Sequence, residues 1–212
     1  MSAQPTASEQ IIHVVDDDEA LRDSMTWMLE GNNYKVATYD SADAFLRVIS
    51  PVMVGCVVLD VRMPGMSGLE LFEELGRRGC TLPVVFITGH GDVPMAVSAL
   101  KKGAVDFIEK PFSEADMLRL IEQCLTLERG NRDKRLQEAD TVRRLEHLTQ
   151  REREVLGLII IGKLNKQIAD VLGISIKTVE VHRARVMEKM GVNSLAELVQ
   201  HVVTVDPDKV LR

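Results

Sequence analysis

Apolar residues enter the first half of the chain in short runs rich in Val, Ile and Leu: Ile11–Val15, 34–39, Gly55–Asp60, 83–88 and 105–109. Runs of that length read as strands. The stretches between them carry apolar residues at helical spacing, giving four helices and a fifth after the last strand. Strands separated by helices predict a parallel sheet with right-handed crossovers, and about 120 residues suit one doubly wound, five-stranded α/β domain. Its span is 9–126. Local signals mark the helix starts: Ser113 with Asp116 makes a near-capping box, and Asp92 stands ahead of Val93 and an early-turn Pro94.

From 127 to 148 the composition changes to Glu, Arg, Asp, Lys and Gln, with sparse Leu136, Val142 and Leu145. This is a charged linker. Gly130 and Asn131 are expected to interrupt the preceding helix, and the charged residues after them form either flexible coil or a re-formed, solvated helix. Residues 149–205 show no strand pattern. Caps place four helices there: Thr149 with Glu152, Asn165, Ser175, and Ser194 with Glu197. Leu172, Gly173 and Ile174 form a tight turn between a short helix and a longer, cation-rich one. That is a helix-turn-helix framed by one helix on each side, an all-α four-helix domain.

The length of 212 residues and the 45% hydrophobic content fit two globular domains. No apolar run approaches the roughly 20 residues of a membrane span, and the polar start at 2–6 is unlike a signal peptide, so the cytoplasm is the expected compartment. Cys56, Cys80 and Cys124 are odd in number and widely spaced, and read as reduced core thiols. The net charge of −6 is unevenly spread. Residues 1–126 hold 10 Lys and Arg against 19 Asp and Glu, 127–148 hold 6 against 5, and 149–212 hold 10 against 8. An acidic front is unsuited to nucleic acid, so any DNA contact belongs to the C-terminal third.

In a doubly wound sheet, ligands sit at the carboxyl ends of the strands. Polar residues gather at those ends: Asp16, Asp17 and Asp18 after the first strand, Asp60 closing the third, Thr88 closing the fourth, Lys110 after the fifth. A single strand-end Asp is ordinarily a turn or a helix cap; four converging strand ends are not explained that way. Two carboxylates about 5 Å apart repel by about 3 kcal/mol at an effective dielectric of 20, so a cation is expected among them. All-oxygen donors without His or Cys favour Mg²⁺ over zinc. With the metal and Lys110 both present, the charge an incoming phosphoryl group meets is roughly cancelled, and phosphoryl transfer becomes feasible.

Over essentially all of 9–126 the chain resembles the receiver domains of two-component response regulators. The resemblance is carried by Asp16-Asp17, by Leu59-Asp60-Val61-Arg62-Met63-Pro64-Gly65-Met66-Ser67-Gly68, by Thr88-Gly89-His90-Gly91 and by Lys110-Pro111, in order. It implies that Asp60 attacks the phosphoryl group on a sensor histidine kinase. It also implies that Asp17, Asp60 and the Arg62 carbonyl bind Mg²⁺ with Asp16 assisting through water, and that Thr88 and Lys110 hold phosphoryl oxygens. A cis Lys110-Pro111 bond, slow autodephosphorylation and no other enzyme activity follow from the same resemblance. Phe107 stands where many receivers have Tyr, so it is either core or a ring that rotates toward space left by Thr88. Phosphorylation is expected to dimerise the receiver through helix four and strand five, a face including Val97 and Lys101.

Residues 149–205 resemble the output domain of NarL/FixJ (LuxR-type) regulators, through Leu148-Thr149-Gln150-Arg151-Glu152-Arg153-Glu154-Val155-Leu156, Asn165-Lys166-Gln167-Ile168-Ala169 and Thr178-Val179-Glu180-Val181-His182-Arg183. With Gly89-His90-Gly91-Asp92-Val93-Pro94 in the first domain, the FixJ-like branch is indicated. By this resemblance the third helix enters the major groove of promoter DNA, with Glu180, Val181 and Ala184 at base edges. Lys166, Lys177, Thr178, Arg183 and Arg185 are candidates for phosphate, and RNA polymerase is a possible further partner. Val179 reads as core, Val181 as either core or reader, and His182 as packed or capping.

Two other classes compete. A phosphatase of the haloacid dehalogenase type also uses a strand-end Asp with Mg²⁺ but needs a second Asp two residues on, where this chain has Arg62. A receiver-like adaptor whose helical tail binds protein would fail to shift DNA fragments in a gel.

Overall fold

A computed structural model describes residues 10–89, 93–203 and 205, and only the backbone of 93–96, so the Asp92 cap lies outside the described residues. In chain order the elements are β1 (Ile11–Val15), α1 (Glu19–Gly31), β2 (Lys35–Tyr39), α2 (Ala42–Val48), β3 (Gly55–Asp60), α3 (Gly68–Arg77), β4 (Val84–Thr88), α4 (Val93–Lys101), β5 (Asp106–Glu109) and α5 (Glu114–Glu146). Then come α6 (Gln150–Ile160), α7 (Asn165–Leu172), α8 (Ile176–Met190) and α9 (Leu195–Val203). The chain forms two compact units that divide between Asn131 and Arg132.

In the first unit every strand pairing is parallel and the order is β2-β1-β3-β4-β5. All residues of β3 and β4 are buried, which is why both read as unbroken apolar runs: helices cover both faces of the sheet. Alternate side chains divide between two cores. Ile12, Val14, Cys56, Val58, Val85 and Ile87 pack with Met25, Leu29, Met117, Leu120 and Ile121 of α1 and α5. Val15, Val57, Leu59, Val84 and Phe86 pack with Phe45, Leu71 and Leu75 of α2 and α3. Burying a Val, Leu or Ile of this kind contributes about 1.5–3 kcal/mol, so the period of two fixes which face each strand residue takes. Strand order reverses between β1 and β3, and this opens a crevice at their carboxyl ends.

The expected break at Gly130 and Asn131 is absent: α5 continues through both. A glycine costs a helix only about 1 kcal/mol relative to Ala, and the Glu, Arg, Lys and Leu around it are good helix formers.

The second unit is all-helical around Val155, Leu156, Ile159, Ile168, Val179, Val186, Met190 and Leu198, joined by Leu145 and Leu148. Thr149 and Glu152 close a reciprocal capping box, and Ser175 accepts from Thr178 N–H at 3.1 Å. Asn165 is not the cap of α7. Leu164 holds that position without a side-chain oxygen, and Gln167 Oε1 instead accepts the Leu164 N–H at 3.0 Å. Ser194 accepts from Glu197 N–H, while the Glu197 carboxylate reaches Asn193 N–H.

Candidate functional site

β1 delivers Asp16 and β3 delivers Asp60 to the crevice, because Val15 and Leu59, one residue earlier in each strand, are register partners. Both carboxylates are buried, Asp16 to 1% exposure and Asp60 to 6%. Lys110, just after β5, bridges them: its Nζ lies 3.0 Å from Asp16 Oδ2 and 2.7 Å from Asp60 Oδ1. The other Asp60 oxygen accepts the Arg62 N–H at 2.6 Å, and Asp16 Oδ1 accepts the Asp18 N–H at 2.8 Å. Burial raises the Asp60 pKa above the ordinary carboxylate value and Asp16 adds to this, against the pull of the Lys110 hydrogen bond and charge and of the Arg62 N–H. Burial would lower the Lys110 pKa, yet its bonds to Asp60 and Asp16 outweigh that and raise it. The result is a desolvated carboxylate beside a firmly protonated amine.

Thr88 is fully buried at the end of β4, and its hydroxyl donates to the Gly89 carbonyl at 3.1 Å. Phe107 on β5 is half-buried against the α2/α3-side core. Asp17 and Arg62 are exposed. Asp17 lies beside the Asp16 backbone but shows no hydrogen bond to the Asp16–Asp60–Lys110 cluster. Val97, 41% exposed, and Lys101, also exposed, stand on α4. The Lys110-Pro111 bond is cis.

On α8, Lys177, Glu180, Val181, Ala184 and Arg185 are exposed, and Thr178 and Arg183 are partly so. Val179 is fully buried, so the core takes it and leaves its neighbours to solvent. His182 is partly buried, with no hydrogen-bond partner at Nδ1 among the described residues, so it packs rather than caps. Lys166 is exposed on α7.

The family described as "Response regulator receiver domain" matches residues 12–122, and that described as "Bacterial regulatory proteins, luxR family" matches 146–202. The chain belongs to the response regulators. This response regulator is 48% identical over 191 residues to the transcriptional regulatory protein FixJ of Azorhizobium caulinodans, covering 89% of this chain and 90% of that one. It is 41% identical over 203 residues to the transcriptional regulatory protein TdiR of Thauera aromatica, covering 96% and 89%. Among solved structures it resembles the response regulator StyR, with TM-score 0.81 and 46% identity over 92% of this chain and 98% of that one. Its relatives are transcriptional regulators rather than enzymes, and a receiver joined to a LuxR-type domain implies a kinase and DNA as partners. No described helix of the response regulator is long and apolar enough to cross a membrane.

Among the described residues no three His, Cys, Asp or Glu side chains converge as a metal cluster. The donors nonetheless suit Mg²⁺ when counted as two or three carboxylates plus a backbone carbonyl. All are hard oxygens, and the repulsion of Asp16 that raises the Asp60 pKa is what a divalent cation would relieve.

Three residues of this response regulator support the site in roles that sequence reasoning did not assign to them. Arg22 donates to the Asp16 carbonyl at 2.7 Å and steadies the acidic loop. Asp18 caps α1, accepting from Ala20 and Leu21 N–H. At Gly68 a Cβ would fall 2.0 Å from the Asp60 carbonyl oxygen, so only glycine lets α3 begin against the Asp60 backbone. The segment 59–68 ends on that glycine, but nothing in its spacing signals the approach.

Proposed function

We propose that this protein is a phosphorylation-dependent transcription regulator whose Asp60 takes a phosphoryl group from the phosphohistidine of a sensor histidine kinase. The observation that carries this reading is the Lys110 ammonium held at 2.7 Å from Asp60 and 3.0 Å from Asp16 at the strand-order reversal. An Asp60 oxygen attacks phosphorus, the P–N bond breaks, and the imidazole nitrogen keeps the electron pair. Lys110 is then the nearest cation for the new phosphoryl oxygens, and Thr88 turns its hydroxyl from the Gly89 carbonyl toward another. Asp17, Asp60 and the Arg62 carbonyl would hold Mg²⁺, with Asp16 acting through water, and the ion supplies charge neutralisation when bound. Slow hydrolysis of the acyl phosphate resets the site. Incubation with acetyl phosphate and Mg²⁺ followed by intact-mass measurement tests the assignment: wild type gains one phosphoryl group and Asp60→Asn none. Equal incorporation into both would overturn it.

The reading extends to the output. The receiver is assigned to 9–126, the linker to 127–148 and the DNA-binding domain to 149–205, in the cytoplasm, with promoter DNA as ligand and RNA polymerase as a further partner. Phosphorylation drives homodimerisation through a face bearing Val97 and Lys101, which follows Thr88 by way of Gly89. Phe107, which cannot donate a phenol hydrogen bond, either stays in the core or rotates into the space Thr88 leaves. Two α8 helices then meet a two-fold site, Glu180, Val181 and Ala184 at base edges and Lys166, Lys177, Thr178, Arg183 and Arg185 at phosphates. The full or partial exposure of these side chains, with Val179 turned to the core, supports the assignment of faces. Sedimentation with and without beryllofluoride and Mg²⁺ tests dimerisation, and an unchanged coefficient in modified protein would refute it.

A further inference from the structure

We propose that Arg144, outside the 146–202 segment matched by the LuxR-type family, is a positioning residue for the DNA-reading helix α8. Its Nη1 donates to the Met190 carbonyl at 2.5 Å, in the last turn of α8, while its Nε pairs with Asp140 Oδ2 at 2.8 Å one turn back on α5. The Met190 carbonyl is one of those that a helix leaves without an internal donor, and a cation there also meets the negative end of the helix dipole.

The backbone is shaped for this contact. Gly191 ends α8 at φ +64°, and a Cβ on it would fall 2.1 Å from Arg144 Nη1. Any other residue would push the guanidinium off Met190. A second tie lies alongside: Lys189 Nζ donates to the His147 carbonyl at 3.1 Å and to Glu152 Oε2 at 2.7 Å. Leu145 and Leu148 are buried in the same core as Val186 and Met190. The carboxyl end of α8 is thus clamped by residues 140–152, which include the last turns of α5.

The clamp bears on base reading through leverage. Glu180 lies about 15 Å along the helix axis from Met190 at 1.5 Å per residue, so a tilt of about 4° at the clamped end moves it about 1 Å. That separates a made hydrogen bond from a lost one. Phosphate contacts from flexible Lys and Arg side chains follow such a shift, whereas contacts to base edges do not.

This inference rests on α8 being the helix that meets bases. Its test uses the full-length protein, a duplex that wild type selects from a randomised library, and a duplex of unrelated sequence. Affinity is normalised to the active fraction measured by stoichiometric titration, so that unfolded molecules do not count. Arg144→Ala is expected to weaken the selected duplex about tenfold or more, with the unrelated duplex and the salt slope unchanged. Arg144→Lys, which keeps the charge and one donor, recovers part of the loss. Gly191→Ala weakens the selected duplex more in wild type than in the Arg144→Ala background, because the collision is then gone.

Wild-type affinity per active molecule in Arg144→Ala, with only the active fraction lowered, would overturn the proposal in favour of plain stabilisation. A salt slope reduced by about one, with both duplexes weakened, would overturn it in favour of a direct phosphate contact. Failure of the α8 reading shows differently: Lys177→Ala and Glu180→Ala would then leave both duplexes unaffected, and the Arg144 proposal falls with it.

Discussion

His13 lies on β1 with 2% exposure, in a triangle with the rings of Tyr39 and Phe45, and burial lowers its pKa from 6.5 to about 4. Nδ1 lies 3.1 Å from the Tyr39 hydroxyl, and Nε2 has no partner among the described residues. The folded protein therefore holds a neutral imidazole, and between pH 6.5 and about 4 the unfolded chain carries a proton that the folded one refuses. Stability rises with pH through this window and is lost as pH falls through it; about 2.5 pH units at 1.36 kcal/mol each give about 3 kcal/mol in full. About 2 kcal/mol of that is lost between about pH 7 and about pH 4.5. His13→Phe removes the titration while keeping an aromatic ring against Phe45. Its absolute stability is shifted by tighter packing and by the lost Tyr39 bond, so the diagnostic quantity is the difference in pH dependence between the two proteins. Carboxylates titrate in both and cancel. Hydrogen exchange of the β1 and β3 amides measures opening of the receiver unit alone, and wild type should lose about 2 kcal/mol more than His13→Phe on acidification. Parallel pH profiles would refute a buried neutral imidazole.

Asp60→Asn should stabilise the receiver at neutral pH in the absence of metal. A carboxylate whose folded pKa is raised, here by burial first and by Asp16 as well, carries its penalty above that pKa and loses it as pH falls toward 3.8; a less stable variant at about pH 7 by the same exchange measurement would contradict this. Added Mg²⁺ should protect wild type more than Asp60→Asn, and chelator should abolish that difference. Glu152, buried but bonded to Lys189 and Thr149, has a lowered pKa despite its burial, so Glu152→Gln should destabilise the second unit at neutral pH by about 1–3 kcal/mol, with the deficit closing as pH falls below 4.5; exchange at the α8 amides reads it. Lys177→Ala and Arg183→Ala should weaken all duplexes alike and lower the salt slope, whereas Glu180→Ala should change preference at one base pair by about 1–3 kcal/mol, as selection from a randomised library would reveal.

Sequence pattern reached as far as short-range physics determines the answer. The strands were legible because a sheet covered on both faces leaves no polar position inside β3 or β4, and adjacency of Asp16 and Asp60 follows once β1 and β3 are neighbours in register. Capping boxes and caps at Thr149 and Ser175 are local and were read directly, whereas Asn165 misled because a better-placed acceptor, Gln167, caps α7 from inside the helix. Gly130 misled because one weak residue cannot stop a helix whose neighbours favour it. The Gly68 approach to Asp60, the orphaned His13 nitrogen and the Arg144 clamp depend on residues distant in the chain, or on backbone positions, that no periodicity encodes.

On the proposed reading, charge at Asp60 explains how such a site would act as a switch. At rest a single ammonium, Lys110, serves two buried carboxylates, and the raised Asp60 pKa marks that arrangement as strained for the ionised acceptor. A phosphoryl group there would add further charge and three acceptor oxygens where, among the described residues, Lys110 and the Arg62 N–H already donate to Asp60. Lys110 has two of its three N–H donors on Asp16 and Asp60, which leaves one for a phosphoryl oxygen, so the remaining oxygens call for a further donor. Thr88 is the adjacent hydroxyl, and its present acceptor is a backbone carbonyl at the start of the segment leading to α4. On the proposed reading, satisfying the new charge would take a hydrogen bond from Gly89, at the start of the segment leading to the helix that bears Val97 and Lys101.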